Sequence, residues 1–335
     1  MPRSRGTRAR ATRGLVPAVI VAGLLAALAG CGSGGGSSSG SSTSGGGSGA
    51  KVHTIGFVAA GADDPFWLAT VRGAEEAGQG GKIKVLTANA KTSADITGMV
   101  PVVQDMLTRN PEALVVPGVP QLLPVLKQAQ AQNIPIIFYA DGIPGSTIER
   151  TTVITDNMAA GEKAGNYIKQ QLHGRGTLAI LDIQRGTYPL LDQRAQGVLA
   201  ALQGTQIRVV SHLDTACDTQ RSVAAMQDIL TRTPNVDAVF GACGGAILGA
   251  EQAIKAAHRD PNGITVVGFD GKPAEFDAIR AGDEDATVVQ FPVRMGKEAV
   301  EVANDVLNGK SVNANIDSGS VLVTRANAAQ YANLQ

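Results

Sequence analysis

From Val52 onward the chain alternates short, almost wholly apolar runs with longer segments whose apolar residues recur every three to four positions. Short runs rich in β-branched residues read as strands, and the longer recurrence reads as amphipathic helix. The first series predicts strands over residues 54–59, 83–86, 113–116 and 134–139, separated by helices over 65–79, 93–109 and 121–132. A second series predicts helices over 159–172, 192–202, 221–232, 246–257 and 274–281, interleaved with strands over 177–183, 206–212, 238–241 and 265–269. A strand over 288–291, a helix over 294–307 and an apolar piece over 320–324 complete it. The strands do not alternate polar with apolar, as expected where helices cover both faces of a parallel sheet. About 280 residues exceed what one compact core ordinarily serves. The expectation is therefore an α/β protein of two doubly wound parallel-sheet lobes.

The N-terminus follows a different pattern. Arg3, Arg5, Arg8, Arg10 and Arg13 precede an uncharged stretch over 15–27, too short for an ordinary membrane span, and then Leu28-Ala29-Gly30-Cys31. A cationic segment, a short apolar core and small residues before a cleavage point make an export signal over 1–30. Cys31, left as the new N-terminus, resembles the lipidated cysteine of bacterial lipoproteins. Residues 32–49 are Gly, Ser and a single Thr. Such a segment has nothing to bury, and its reach is about 5–6 Å times the square root of its length. Residues 31–50 thus read as a lipidated cysteine and a flexible leash, and the folded part as exported and membrane-anchored, on the outer face of the cytoplasmic membrane or in the periplasm.

Export changes the charge. The chain carries 29 Lys and Arg against 29 Asp and Glu, but the five arginines of the signal leave with it, so 24 basic residues face 29 acidic ones. A mildly acidic protein without a basic cluster is a poor nucleic-acid binder. Besides Cys31 there are two cysteines, Cys217 and Cys243. In an oxidising compartment an even pair suggests a disulfide, with two unrelated buried thiols as the alternative. Four histidines, His53, His173, His212 and His258, show no metal-ligand spacing. The Gly36–Gly40 match to the nucleophile-elbow pattern lies in the leash, with neither the strand nor the helix it requires. No catalytic residue, metal or cofactor is expected, and the reading is of a binding protein.

In open parallel sheets the ligand crevice lies beyond the carboxyl ends of the strands. The residues there are Asp63, Asp64, Phe66 and Trp67, then Asp141, then Gln184 and Arg185, Asp214 to Asp218, Cys243-Gly244, Asp270 and Gln290. Carboxylates and amides bind hydroxyl groups, and aromatic faces pack on C–H surfaces, so this set suits a polyhydroxylated ligand.

Asp64-Pro65-Phe66-Trp67, Thr155-Asp156-Asn157, Val266-Val267-Gly268-Phe269-Asp270-Gly271 and Gln290-Phe291-Pro292 occur in the order and spacing of the type I periplasmic sugar-binding proteins. The chain resembles most the ribose-binding branch that serves ABC transporters. The effector lobe of the lactose-repressor family is similar, but a helix-turn-helix stands there in place of this export signal. The resemblance implies two lobes that close on a ligand, with crossovers near Asp156, Gln290 and Gly319. One lobe would comprise 51–155 plus 291–319, the other 156–290 plus 320–335.

It further implies that Asp64 makes a polar ligand contact, that Phe66 and Trp67 sandwich the ring, and that Asp270 and Gln290 bind hydroxyls. Asp156 and Asn157 fall to hinge and cap roles. Several family positions differ: Ala140-Asp141-Gly142 replaces an Asp-Arg pair, Asp192 replaces a ligand-binding arginine two residues before Arg194, and Cys217 and Cys243 replace direct contacts. Asp141, Asp192 and Arg194 complete the candidate site. With arginine and asparagine donors lost and carboxylates kept, the expected ligand is rich in donors: a neutral pentose, hexose or acyclic polyol. A cationic or amino-sugar ligand is the alternative. The expected partner is a membrane permease, or else a signalling receptor, and the expected state is a monomer.

Overall fold

In a computed structural model of the chain, the structure describes residues 51–92, 95–183, 189–258 and 263–331. Cys31 with its leash, and Gln184 and Arg185, lie outside them. The described strands form two six-stranded sheets. The first contains β1 (His53–Ala59), β2 (Ile83–Asn89), β3 (Ala113–Pro117), β4 (Ile136–Tyr139), β5 (Glu149–Ile154) and the late β11 (Asn315–Asp317), in the order β11-β5-β4-β3-β1-β2. All its pairings are parallel. The second contains β6 (Arg175–Asp182), β7 (Gln206–Asp214), β8 (Ala238–Gly241), β9 (Thr265–Asp270), β10 (Ala286–Gln290) and β12 (Ser320–Thr324), in the order β12-β10-β9-β8-β6-β7. Only β12 runs antiparallel, against β10.

Helices cover both faces of the central strands, which is why those strands are almost wholly apolar. In the first lobe Val58, Leu114, Val116 and Phe138 pack on one side, towards α2 (Met99–Thr108) and α3 (Leu123–Ala131). Ile55, Phe57, Val115, Ile137 and Tyr139 pack on the other, under α1 (Pro65–Gly78) and α9 (Pro292–Leu307). Successive residues of β1 thus enter opposite cores, as the two-residue period of a strand demands. The second lobe repeats the plan with α4 (Asn157–Gln171), α5 (Pro189–Ala201), α6 (Thr219–Arg232), α7 (Gly244–Ala256) and α8 (Pro273–Ala281), and α10 (Ala328–Tyr331) packs beside α8 and β12. There α4 and α5 cross at Gly161 and Gly197, where an added Cβ on either would overlap backbone of the other helix. The Arg-x-x-Gly spacing of Arg194 and Gly197 therefore brings α5 close enough to bury Arg194.

The chain passes between the sheets at β5 to β6, β10 to β11 and β11 to β12. Two of these passages are tied together. The Asp317 carboxylate accepts from the backbone N–H of Asp156 at 2.9 Å and of Gly319 at 2.8 Å, and the Thr155 and Ser318 hydroxyls lie 3.5 Å apart, both buried.

Three expectations change. β5 was not anticipated, because Glu149 to Thr152 is polar; it lies next to the three-residue edge strand β11, with Arg150 exposed. The helix expected from 93 starts at Met99, because the Asp95 carboxylate accepts from Thr97 Oγ1 at 2.8 Å and Gly98 N at 2.9 Å and holds a turn there. The helix expected from 121 opens as a 3₁₀ turn over Pro120–Leu122 before α3.

Candidate functional site

The carboxyl ends of both sheets face one cavity of about 310 Å³. From the first lobe it receives Asp64, Phe66, Trp67, Met99, Val119 and Asp141; from the second it receives Arg194, Cys217, Cys243, Asp270, Lys272 and Gln290. Seven of the eight candidate ligand-binding residues, with both cysteines, line it. Asp192 is not among the lining residues; it stands in the first turn of α5.

On the first lobe, Asp64 caps α1. Its carboxylate accepts from Phe66 N at 2.9 Å, and Pro65 occupies the first turn, where a missing N–H costs nothing. This cap places Phe66 and Trp67 at the helix entrance, half-buried and edge-to-face with centroids 5.1 Å apart. Trp67 also meets Tyr139 edge-to-face at 5.9 Å, and the Tyr139 hydroxyl donates to the Val58 carbonyl at 3.0 Å. Trp67 is thus both cavity wall and core packing.

The second lobe presents a network centred on Asp270. Its carboxylate accepts from Arg194 Nη1 at 3.0 Å, Gln290 Nε2 at 2.9 Å and Gly244 N at 3.1 Å, the last at the positive end of α7. Arg194 also donates from Nε to Asn157 Oδ1 and from Nη1 to the Ala242 carbonyl, both at 2.9 Å, and lies over the Phe269 ring at 3.9 Å. Burial pulls the guanidinium below its ordinary value, opposed by the charges of Asp270, Asp141 and Asp182. Asn157, read as a hinge or cap residue, is a buried acceptor for Arg194, while the capping carboxylate of α4 belongs to Asp156. Asp270 caps no part of α8; the residue before that helix is Lys272.

Backbone strain gathers here. Ala140 (φ 61°), Ala216 (φ 54°), Cys217 (φ 57°) and Asp270 (φ 99°), all lining the cavity, sit in the left-handed region that L-residues avoid. Each costs on the order of 1–3 kcal/mol and persists only where its surroundings enforce it. At Cys217 the enforcement is visible: a disulfide joins it to Cys243 at the start of α7, with Cα atoms 6.0 Å apart, and a Cβ on Gly245 would overlap the Cys217 carbonyl.

Two features decide the electrostatics. Asp141 is buried, and desolvation pushes its carboxyl up to about 6, held from rising further by the Gly142 N–H at 2.8 Å and the charge of Arg194. Lys272, which the sequence reading missed, reaches across the cleft to Asp64, with Nζ 3.3 Å from Oδ2. Burial works against its charge, but Asp270, Asp64 and Glu275 outweigh it and raise its affinity for the proton. The available signal was its place two residues after Asp270, at the carboxyl end of β9.

Two parallel-sheet lobes with aromatic residues on one wall and a hydrogen-bonding network on the other define a two-lobed binding protein of the type I periplasmic class. Residues 55–311 match the periplasmic binding protein domain family, and the chain belongs to that family. It is 27% identical to the ribose import binding protein RbsB of Bacillus subtilis (strain 168) over 277 residues, 82% of this chain and 88% of that protein. It is 23% identical to the D-allose-binding periplasmic protein of Escherichia coli (strain K12), over 72% of this chain and 80% of that one. A solved ABC transporter solute-binding protein of Mycobacterium smegmatis, with glycerol bound, superposes with a TM-score of 0.74 at 27% identity, covering 85% of this chain and 98% of that chain. Two of these relatives are named for binding a sugar and the third for serving an ABC transporter, and the family implies a place outside the cytoplasm. No helix among the described residues is long and apolar enough to cross a membrane.

Proposed function

We propose that this protein is a lipid-anchored solute-binding protein that captures a small carbohydrate or polyol between its lobes and delivers it to an ABC transporter permease. The observation that carries the reading is the cavity at the strand ends, with Phe66 and Trp67 on one wall and Arg194, Asp270 and Gln290 on the other. A ligand touching both walls favours the closed form by its differential affinity, and that closed form is what a permease would recognise. The protein binds without performing chemistry, acts as a monomer, and has lobes bounded at 155, 290 and 319. Relatives named for ribose and D-allose, and the M. smegmatis structure with glycerol, support ligands of this size. The anchor is Cys31 and the standoff its Gly/Ser leash.

A thermal-shift screen of pentoses, hexoses, polyols, amino sugars, polyamines and nucleosides tests the ligand class. A saturable shift confined to sugars or polyols is expected; a shift only with polyamines or nucleosides would overturn it. Metabolic labelling with an alkynyl fatty acid tests the anchor, and the label should disappear in Cys31→Ala.

A further inference from the structure

Among the described residues, six ionisable or amide side chains line the cavity, and five of them are already engaged with protein. Asp64 accepts from Phe66 N and Lys272 Nζ, while Asp270 gathers Arg194, Gln290 and Gly244 N. Asp141 differs. It is 9% exposed, and the one hydrogen bond it accepts comes from its neighbour's backbone, Gly142 N to Oδ1, which leaves Oδ2 uncommitted. A buried carboxylate with spare acceptor capacity calls for donors from elsewhere, and the cavity is where they can enter.

The rest of the wall offers almost nothing polar. Met99 and Val119 stand with the aromatics on the first lobe, and Ile183, Leu191 and the Cys217–Cys243 bridge face them from the second. A common aldohexose carries hydroxyls around its whole rim, so several would press on carbon or sulfur and lose their water without replacement. A sugar with a methyl or methylene at those positions loses nothing there and gains apolar contact.

We propose that the cavity selects a monosaccharide-sized deoxy sugar, whose hydroxyls converge on Asp141 while its deoxygenated side rests on the apolar walls, and that Asp141 is the specificity-determining residue. The inference rests on the carbohydrate-binding reading above and narrows it.

Calorimetric titration of the whole protein with matched pairs tests it: D-galactose against D-fucose, L-mannose against L-rhamnose, D-ribose against 2-deoxy-D-ribose. In at least one pair the deoxy member is expected to bind tenfold or more tightly than its parent. Asp141→Asn, whose amide oxygen can still accept from Gly142 N, should weaken that binding tenfold or more. Wild-type affinity should also fall as pH drops below about 6, a measurement that needs no variant to fold. Parent sugars binding as tightly as their deoxy partners in every pair would overturn this inference and leave the carbohydrate reading standing. Binding unchanged both in Asp141→Asn and between pH 5 and 8 would overturn the role of Asp141. Binding by a polyol but by no saccharide would overturn this inference alone, and absence of binding by every saccharide and polyol would overturn both readings together.

Discussion

In the first lobe the cavity wall is a surface of side chains each held by its own local structure: a capped helix entrance for Phe66 and Trp67, a sharp strand end for Asp141. In the second lobe the wall is a network in which Asn157, Arg194, Asp270, Gln290 and the start of α7 hold one another, with a disulfide beside it. Removing Phe66 or Asp141 from the first wall removes mainly a contact surface, whereas removing a residue from the second strands its buried partners. The lobes therefore separate two quantities: changes on the first should read out in affinity, and changes on the second in stability as well.

Asp270→Ala is the severest test of that separation. It leaves Arg194, 5% exposed, without its carboxylate, and the Gln290 amide and Gly244 N–H without their acceptor. Breaking a buried pair from one side costs about 3–5 kcal/mol. Denaturant unfolding should show a loss of that order together with loss of ligand binding. A variant as stable as the parent would mean the second wall is no more interdependent than the first.

Next is the disulfide. Cys217 and Cys243 are 26 residues apart, and a loop of that size corresponds to about 3 kcal/mol on chain-entropy grounds. Reduction, or replacement of both cysteines by Ser, should lower the unfolding free energy by about that amount. It should also weaken binding, because the left-handed turn at Ala216 and Cys217 loses its tie to α7.

Phe66→Ala sharpens the contrast from the other side. The half-buried ring lines the cavity at the entrance of α1. Losing the burial of one large apolar side chain against a ligand is worth about 1.5–3 kcal/mol, or roughly tenfold to a hundredfold in affinity. The unfolding free energy should change by less than the binding free energy, the reverse of Asp270→Ala.

A pH titration of stability weighs most on the second lobe, with Asp141 of the first acting in the same direction up to about 6. Behind the second lobe's wall Glu251, Glu275 and Glu284 are all buried. Desolvation first, and the charge of Asp270 next, push Glu275 up to about 8; burial raises Glu251 and Glu284 as well, and the charges of Glu275 and Glu251 raise Glu284 further. Between the ordinary glutamate value and these raised values the unfolded chain binds fewer protons than the folded one. Stability is therefore full below about 4.5 and falls as pH rises towards 8, with a slope near 1.4 kcal/mol per unit for each such group. Glu275→Gln keeps one oxygen for Lys272 N, while the Thr287 hydroxyl, which donates to the other carboxylate oxygen, must turn to accept from the new amide NH2; the variant should reduce that slope by about one proton.

The same contrast explains what could be read from sequence. A parallel sheet places every strand's carboxyl end at one edge, so strand order and apolar runs were enough to bring Asp64, Trp67, Asp141, Asp270 and Gln290 to notice, and the structure collects them in one cavity. Pairings across the fold were not legible. Nothing in local spacing shows that Asn157 meets Arg194, 37 residues later, or that Asp64 meets Lys272, 208 residues later. Asp192 illustrates the limit at a single helix. It shares the start of α5 with Leu191 and Arg194, which line the cavity while it does not, and at 3.6 residues per turn a shift of one or two positions decides which face a side chain occupies. β5 escaped notice because its polar first half sits next to a short edge strand, where the requirement for apolar residues on both faces is relaxed.

The smallest expected effect concerns the point where the walls meet. Lys272 and Asp64 form an ion pair across the cleft, with side chains 34% and 24% exposed, so solvent screens it and its contribution should not exceed about 1 kcal/mol. Lys272→Met keeps the aliphatic stem and the backbone partner of Glu275 but removes the charge. If the pair holds the lobes together, the variant should release ligand about two- to fivefold faster, with its association rate little changed. The salt dependence of release should diminish in the variant, because added salt weakens the wild-type pair and has no such pair to act on in Lys272→Met. Stopped-flow fluorescence of Trp67, the chain's single tryptophan and part of the cavity wall, can follow both rates. An unchanged release rate with unchanged salt dependence would assign closure to the ligand alone, and the two walls would then communicate only through what they hold.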